Sequence, residues 1–355
     1  MFFLADTVPG RLWKVEREKI RFDYRVLGGL KIPLPKRFPL LFNPGIKSAL
    51  RREDPDLIIC GGYHHPSSLS ALRYAKKYRK RFVLWCESHH ESVGIRAFPI
   101  DCYRKYFIDS SDGFVVPGRK SFDFIQGFDV SEKKIWIAPN AIDTELFRST
   151  YGNFRTTGGP EQFRKRFDLP DFNILFVGRL APEKGLPAVF KALHQIQKRG
   201  FQVGFVIVGD GPCLSEYEQL VRQLGLSHVV FVGFKQQEEL SYYYLGSDVL
   251  VLPSHSEPWG LVVNEALTCG LPVLCSKKVG CADDLIVEGK TGFLCTEVKD
   301  YEEKIVELMT KPDHLVRMRE HCYTHIEQFT PQHCADGFLN LCQFESNQQV
   351  VPSYI

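Results

Sequence analysis

No C-x-x-C pair occurs among the 11 cysteines, which are odd in number and scattered singly. That pattern argues against a structural zinc site and against a disulfide framework, and leaves reduced, intracellular thiols as the better reading. No run approaches the roughly 18 uninterrupted apolar residues that a bilayer-spanning helix needs. The apolar start, Met1 to Asp6, is short and has no basic segment before it, so it reads as a strand rather than a signal peptide. Repeats at a solenoid period and low-complexity tracts are absent. No G-x-G-x-x-G with a following acid closes a strand, and Val208–Pro212 (VGDGP) offers only the first two glycines. A dinucleotide-dependent oxidoreductase is therefore disfavoured. No nucleic-acid-binding module is recognisable either.

What is present is a folded globular composition: 355 residues, 44% hydrophobic, 13% aromatic and 25% charged, enough for two domains. The net charge of +3 hides an asymmetry, because residues 1–150 carry 26 Lys/Arg against 17 Asp/Glu and the remainder 19 against 25. A basic first half suggests an anionic partner, and charge alone does not choose among nucleic acid, membrane lipid and a phosphorylated substrate.

From Phe172 onward, short β-branched runs alternate with helical patterns, which predicts a parallel sheet with helices on both faces. Strands are expected at Asn173–Val177, Val203–Val208, Val229–Val232, Val249–Leu252 and Pro272–Cys275. Helices are expected at Gly185–Arg199, Leu214–Leu224, Glu238–Gly246 and Leu261–Cys269. The first half is less regular, but Leu57–Cys60, Phe82–Cys86, Gly113–Val116 and Ile135–Ala138 read as strands separated by helical lengths. The expected fold class is therefore α/β, with two doubly wound domains facing each other. Lys31–Asn43, with three prolines among basic and apolar residues, is expected to be an exposed loop, with membrane contact as one option. The basic run Arg73–Arg81 reads as a solvated helix face.

In an open parallel sheet, ligands bind beyond the carboxyl ends of the strands. After Asn173–Val177 comes Gly178-Arg179-Leu180-Ala181-Pro182-Glu183-Lys184-Gly185, whose guanidinium and ammonium, close to a helix start, suit a diphosphate. Two ordinary surface cations would give the same spacing. After Val249–Leu252, the amides of Gly260, Leu261 and Val262 are free helix-start donors. Glu257 and Glu265 flank them, and at a helical rise of about 1.5 Å per residue the two carboxylates can lie a nucleotide sugar's length apart. An ordinary loop acid and helix-surface acid are the blander account.

In order and spacing, Gly178–Gly185 (GRLAPEKG), Val208–Pro212, Phe231–Phe234 (FVGF), Ser247–Pro253 (SDVLVLP), Glu257–Glu265 (EPWGLVVNE), Cys269–Val273 (CGLPV) and Gly289–Leu294 (GKTGFL) resemble the family 4 glycosyltransferases of the GT-B fold. The resemblance runs from about Phe114 to Phe338 and includes Pro139–Asp143 (PNAID). It implies retaining transfer of a sugar from a nucleoside diphosphate sugar to a glycan, lipid-linked or other hydroxyl acceptor, with no metal or other cofactor required. Carried over by residue, Arg179 and Lys184 neutralise the diphosphate, with Gly260, Leu261 and Val262 beside it. Glu265 accepts from the ribose, Glu257 holds the donor sugar, and Phe234 contacts the base. The family's histidine after a first-domain strand falls best on His89, with His90 second and His64 and His65 in local roles. Glycines 209 and 211 read equally as a structural turn.

The expected domains are 1–165 on the acceptor side, 166–330 on the nucleotide-sugar side, and 331–355 as a helix returning to the first domain plus a tail. The family's first strand, glycine-rich loop and helix have no counterpart before Phe2, so the chain reads as N-terminally incomplete. The competing reading is accordingly a GT-B-like nucleotide-binding or scaffold protein with impaired turnover. Cys281-Ala282-Asp283-Asp284 departs from a glycine-rich stretch ending in glutamate, which puts specificity there in question. The expected location is the cytoplasm, with peripheral contact at the inner face of the membrane left open, and no nucleic-acid partner.

Overall fold

The computed structural model describes residues 1–5, 18, 20–34, 37–93, 97–156 and 158–348. The tail from 349 to 355, Asp6, and residues 35 and 36 of the proline-rich segment lie outside these.

The chain opens with two small pairs: β1 (Phe2–Phe3) parallel to β2 (Arg25–Val26), and β3 (Leu30–Leu34) antiparallel to β4 (Arg37–Phe42). The second pair corrects the loop expected over Lys31–Asn43. Pro33 falls where the register shifts between Ile32 and Leu34, a place where proline's missing N–H is tolerated. Leu41 is buried, so apolar content outweighed the proline signal.

Strands β5 (Leu57–Gly61), β6 (Arg81–Trp85), β7 (Gly113–Val116) and β8 (Ile135–Ile137) form an all-parallel sheet in that order. Helices Pro66–Tyr78, Phe98–Asp109 and Arg119–Gln126 connect them. The buried centre, with Phe82, Leu84, Phe107, Phe114 and Val116, forms a core of its own.

The second sheet contains β9 (Asn173–Val177), β10 (Gly204–Val208), β11 (Val229–Gly233), β12 (Val249–Leu252), β13 (Val273–Ser276) and β14 (Gly292–Cys295). Its order is β11-β10-β9-β12-β13-β14, and every neighbouring pair is parallel. Each of β9, β10, β12 and β13 is buried along its whole length, as expected for a sheet covered on both faces. Helix Leu186–Lys198 buries Leu186, Val189, Phe190, Leu193 and Ile196, a 3.6-residue stripe that packs on this core. It ends before Gly200, whose φ of +84° is the left-handed conformation glycine adopts without strain. The molecule thus has two Rossmann-like domains.

The last helix, Pro331–Gln348, returns to the first domain and packs on β8. Leu341 is buried with Val83, Val115 and Ala138, and Phe338 meets Trp85 edge-on at 5.2 Å.

Candidate functional site

The strand order of the second sheet reverses between β9 and β12, because the chain adds β10 and β11 on one side and β12 to β14 on the other. Open parallel sheets bind ligands at such a point, beyond the carboxyl ends of the strands. The loops after β9 and β12 carry Arg179 and Lys184, and Glu257. They are seated by glycines that permit backbone-to-backbone contact. A Cβ on Gly185 would lie 2.2 Å from the Pro253 carbonyl oxygen, and one on Gly209 would lie 1.9 Å from that of Gly178. The Glu183 carbonyl also accepts a bond from the His255 amide at 2.8 Å, tying the two loops together.

Lys184 Nζ donates to Glu257 Oε2, and both side chains are largely buried. Arg179 Nη2 donates to Glu183 Oε1 at 2.5 Å in a more exposed pair. Burial works to raise the Glu183 carboxyl, but the Arg179 guanidinium outweighs it and holds it below its ordinary range.

Gly260, at φ +100°, precedes helix Leu261–Thr268. The Val263 amide donates to the Gly260 carbonyl at 2.9 Å, and the amides ahead of it, at the positive end of the helix, favour an anion. Glu265 lies in the same helix, is only 8% exposed, and accepts a 2.6 Å bond from the Tyr244 hydroxyl. Burial pushes its carboxyl up to about 7, with the Tyr244 bond pulling the other way. Phe234 is exposed just past β11, two places from β9 in the sheet.

From the first domain, His89 reaches across. It is fully buried, its Nε2 donates to the Glu257 carbonyl at 2.8 Å, and its Nδ1 faces Glu91 Oε2 at 2.9 Å. A carbonyl can only accept, so the proton on Nε2 is fixed by its partner. His89, Glu257 and Lys184 therefore form one chain of contacts. The Glu257 backbone is held further by Gly280, whose amide donates to the same carbonyl at 2.9 Å.

The other candidate histidines, His64, His65 and His90, lie elsewhere. His90 packs edge-on against Phe124 and His64 stacks on Tyr63 at 4.3 Å, while His65 Nδ1 accepts from the Leu41 amide. Burial lowers both His64 and His65, which favours their neutral forms. A separate groove of about 310 Å³ beside the Arg179–Gly185 loop is lined by Pro182, Gly185, Lys191, Tyr217 and His255, and by none of the expected site residues. Among the described residues, no three metal-ligating side chains group together.

Three participants were not legible as such in the sequence: Tyr244, Glu91 and Glu183. Only Glu183 left a signal, since it stands four residues after Arg179. Asp284, marked in the sequence only as a departure from the family's pattern, is a fourth. Its carboxylate oxygens each accept from the Arg119 amide at 3.1 Å, so an acid of the second domain caps a helix of the first.

Two parallel-sheet domains facing each other, with a cation-bearing crevice on one and a histidine reaching in from the other, define the GT-B architecture. Residues 5–146 match the family described as Glycosyltransferase Family 4, and residues 160–325 match Glycosyl transferases group 1. The chain is 28% identical over 235 residues to the D-inositol 3-phosphate glycosyltransferase of Corynebacterium aurimucosum, covering 63% of this chain and 54% of that one. It is 29% identical over 315 residues to the sulfoquinovosyl transferase of Arabidopsis thaliana, covering 81% and 57%. It thus spans little more than half the length of these relatives. Among solved structures, Anabaena HepE in complex with UDP superposes with a TM-score of 0.71 at 19% identity, covering 91% of this chain and 86% of that one. Sucrose-phosphate synthase from Thermosynechococcus elongatus gives 0.68 at 21%, covering 85% and 76%. The chain belongs to the family 4, group 1 glycosyltransferases of the GT-B fold.

Proposed function

We propose that this chain transfers a hexose from a nucleoside diphosphate sugar to a hydroxyl acceptor with retention of anomeric configuration. The observation that carries this reading is the convergence, at the β9/β12 switch point, of Lys184, Glu257 and His89 in one contact chain, beside the helix that starts at Gly260 and bears Glu265. HepE, of the same fold, is recorded with UDP and UDP-glucose, which suits a nucleotide-sugar donor here.

Breaking the bond between the anomeric carbon and the phosphate oxygen leaves extra negative charge on the diphosphate. Fixed cations in a water-poor crevice stabilise that charge more in the transition state than in the ground state. Arg179 and Lys184 supply it, with the amides of Gly260, Leu261 and Val262, so no metal ion is needed for charge neutralisation. Glu265 accepts from the ribose hydroxyls, Glu257 holds the sugar, and Phe234 offers an apolar face to the base. His89 fixes the Glu257 backbone and lies where the two domains meet, beside the reacting sugar.

The acceptor in this reading is a glycan, lipid-linked or other hydroxyl. No helix among the described residues is long and apolar enough to cross a membrane. A mainly basic groove on the first domain, lined by Lys76, Arg79, Lys80, Arg81 and Lys134 together with Asp112, which pairs with Lys76, is the surface proposed to meet an anionic inner membrane face. Reversing charges there should weaken sedimentation with anionic liposomes, and unchanged sedimentation would refute the membrane part. A chain acting only as a nucleotide-binding scaffold would bind the donor and leave it intact. Incubating the purified protein with UDP-, GDP- and ADP-sugars and following sugar release and anomeric configuration by NMR decides between these readings. Transfer or release with retention is expected, inversion would overturn the mechanism, and binding without release would favour the scaffold.

A further inference from the structure

Both cations assigned to the diphosphate already hold a carboxylate. Arg179 donates to Glu183 and Lys184 to Glu257. These two partners are not equivalent. Glu257 is enclosed with Lys184, whereas the Arg179 and Glu183 side chains are 42% and 38% exposed. The backbone beneath each acid is anchored, Glu183 through its carbonyl to the His255 amide and Glu257 through its carbonyl to His89 and Gly280. Only the carboxylate ends therefore need to move for the pairs to open.

We propose that Glu183 and Glu257 are internal stand-ins for the donor's diphosphate, displaced when it binds and returning when it leaves, and that Glu183 sets how weakly the leaving nucleoside diphosphate is held. This rests on the donor-site reading above and deepens it. A crevice of cations without counter-charge would bind the product diphosphate at least as well as the donor, since both present the same phosphates. Internal carboxylates lower the affinity for diphosphate as such. A donor recovers part of that loss, because the displaced Glu257 finds a new partner in the hydroxyls of the attached sugar. A bare nucleoside diphosphate offers Glu257 nothing and is more readily expelled. Glu183 can turn into solvent at little cost, so it acts as a mild competitor for Arg179 in both complexes. Because Arg179 holds its carboxyl below the ordinary range, Glu183 stays ionised throughout the neutral range.

The test uses inorganic pyrophosphate, which presents the phosphates without base or sugar. It is titrated calorimetrically into wild type, Arg179→Ala, Glu183→Gln, the double variant and Glu257→Gln, each checked for folding by circular dichroism. Glu183→Gln should bind pyrophosphate about two- to fivefold more tightly, the range expected on removing one partly exposed ionic competitor. Arg179→Ala should bind more weakly, and Glu183→Gln should add nothing in that background. Glu257→Gln should also tighten binding, and because its pair is enclosed the gain should exceed that of Glu183→Gln. Should the Glu257 variant fail to fold, the Glu183 pair still decides. No gain from Glu183→Gln, or a gain that persists without Arg179, overturns the proposal while leaving the donor site standing. Unchanged binding in Arg179→Ala overturns both.

Discussion

The carboxylate of Asp284, in the second domain, caps the helix that starts at Arg119 in the first, with both oxygens 3.1 Å from the Arg119 amide. The approach is close enough that a side chain on Gly118 would meet Asp284 Oδ2 at 2.4 Å and the Trp259 ring at 2.7 Å. Together with the His89 contact to Glu257, and Asn264 Nδ2 donating to the Asn140 carbonyl at 3.0 Å, it holds the two domains in register at the crevice.

Replacing that cap tests its contribution. Asp284→Ala should lower stability by about 1 kcal/mol, the usual result of losing an N-cap, whereas Asp284→Asn should retain most of it because the amide oxygen still accepts. Urea denaturation of the three proteins measures this. Equal losses in both variants would show that the cap is not the cause.

Glu265 predicts a pH dependence of stability. Burial raises its carboxyl from 4.5 to about 7, so the folded protein holds the proton more tightly than the unfolded chain. Its contribution is fully present below pH 4.5 and is lost as pH rises through 7, an effect on the order of 3 kcal/mol. Asp284, raised by burial to about 6, acts in the same direction. Glu265→Gln should remove the larger part of this slope and be the more stable protein at pH 8, as denaturation midpoints at pH 5 and pH 8 would show. A wild type equally stable at both would contradict the assignment.

Gly185 sits at φ +68°, with the Pro253 carbonyl oxygen 2.2 Å from where a Cβ would stand. Gly185→Ala must therefore push apart the loops that carry Lys184 and Glu257. A loss of about 2–4 kcal/mol is expected from combined overpacking and backbone strain, together with weaker donor binding. Thermal denaturation and donor titration check both, and a neutral result would mean that the loops are not tightly coupled.

The second domain was far more legible in the sequence than the first. Its strands β9, β10, β12 and β13 are short, largely apolar runs with a glycine or proline at or next to one end, and they fall within a residue or so of where periodicity put them. The hairpin β3–β4 was missed because three prolines outweighed the alternation visible in Leu30–Leu34, and Arg37–Phe42 is apolar without alternating. At the candidate site, Arg179, Lys184, Glu257 and Glu265 could be singled out because they lie after strands or early in a helix, within motifs that resemble the family's. Which side chains they pair with could not. Tyr244 meets Glu265 across 21 residues, and His89 meets Glu257 across 168, distances over which only the folded topology decides.

The central claim is that the mouth of the second sheet grips a nucleoside diphosphate between Arg179 and Lys184 while Glu265 holds its ribose. The most direct test is a thermal-shift panel of UDP, GDP and ADP with their sugars, run on wild type, Arg179→Ala and Glu265→Ala. One nucleoside diphosphate should raise the melting temperature of wild type, and both substitutions should abolish the rise. Equal shifts in all three proteins would contradict the account.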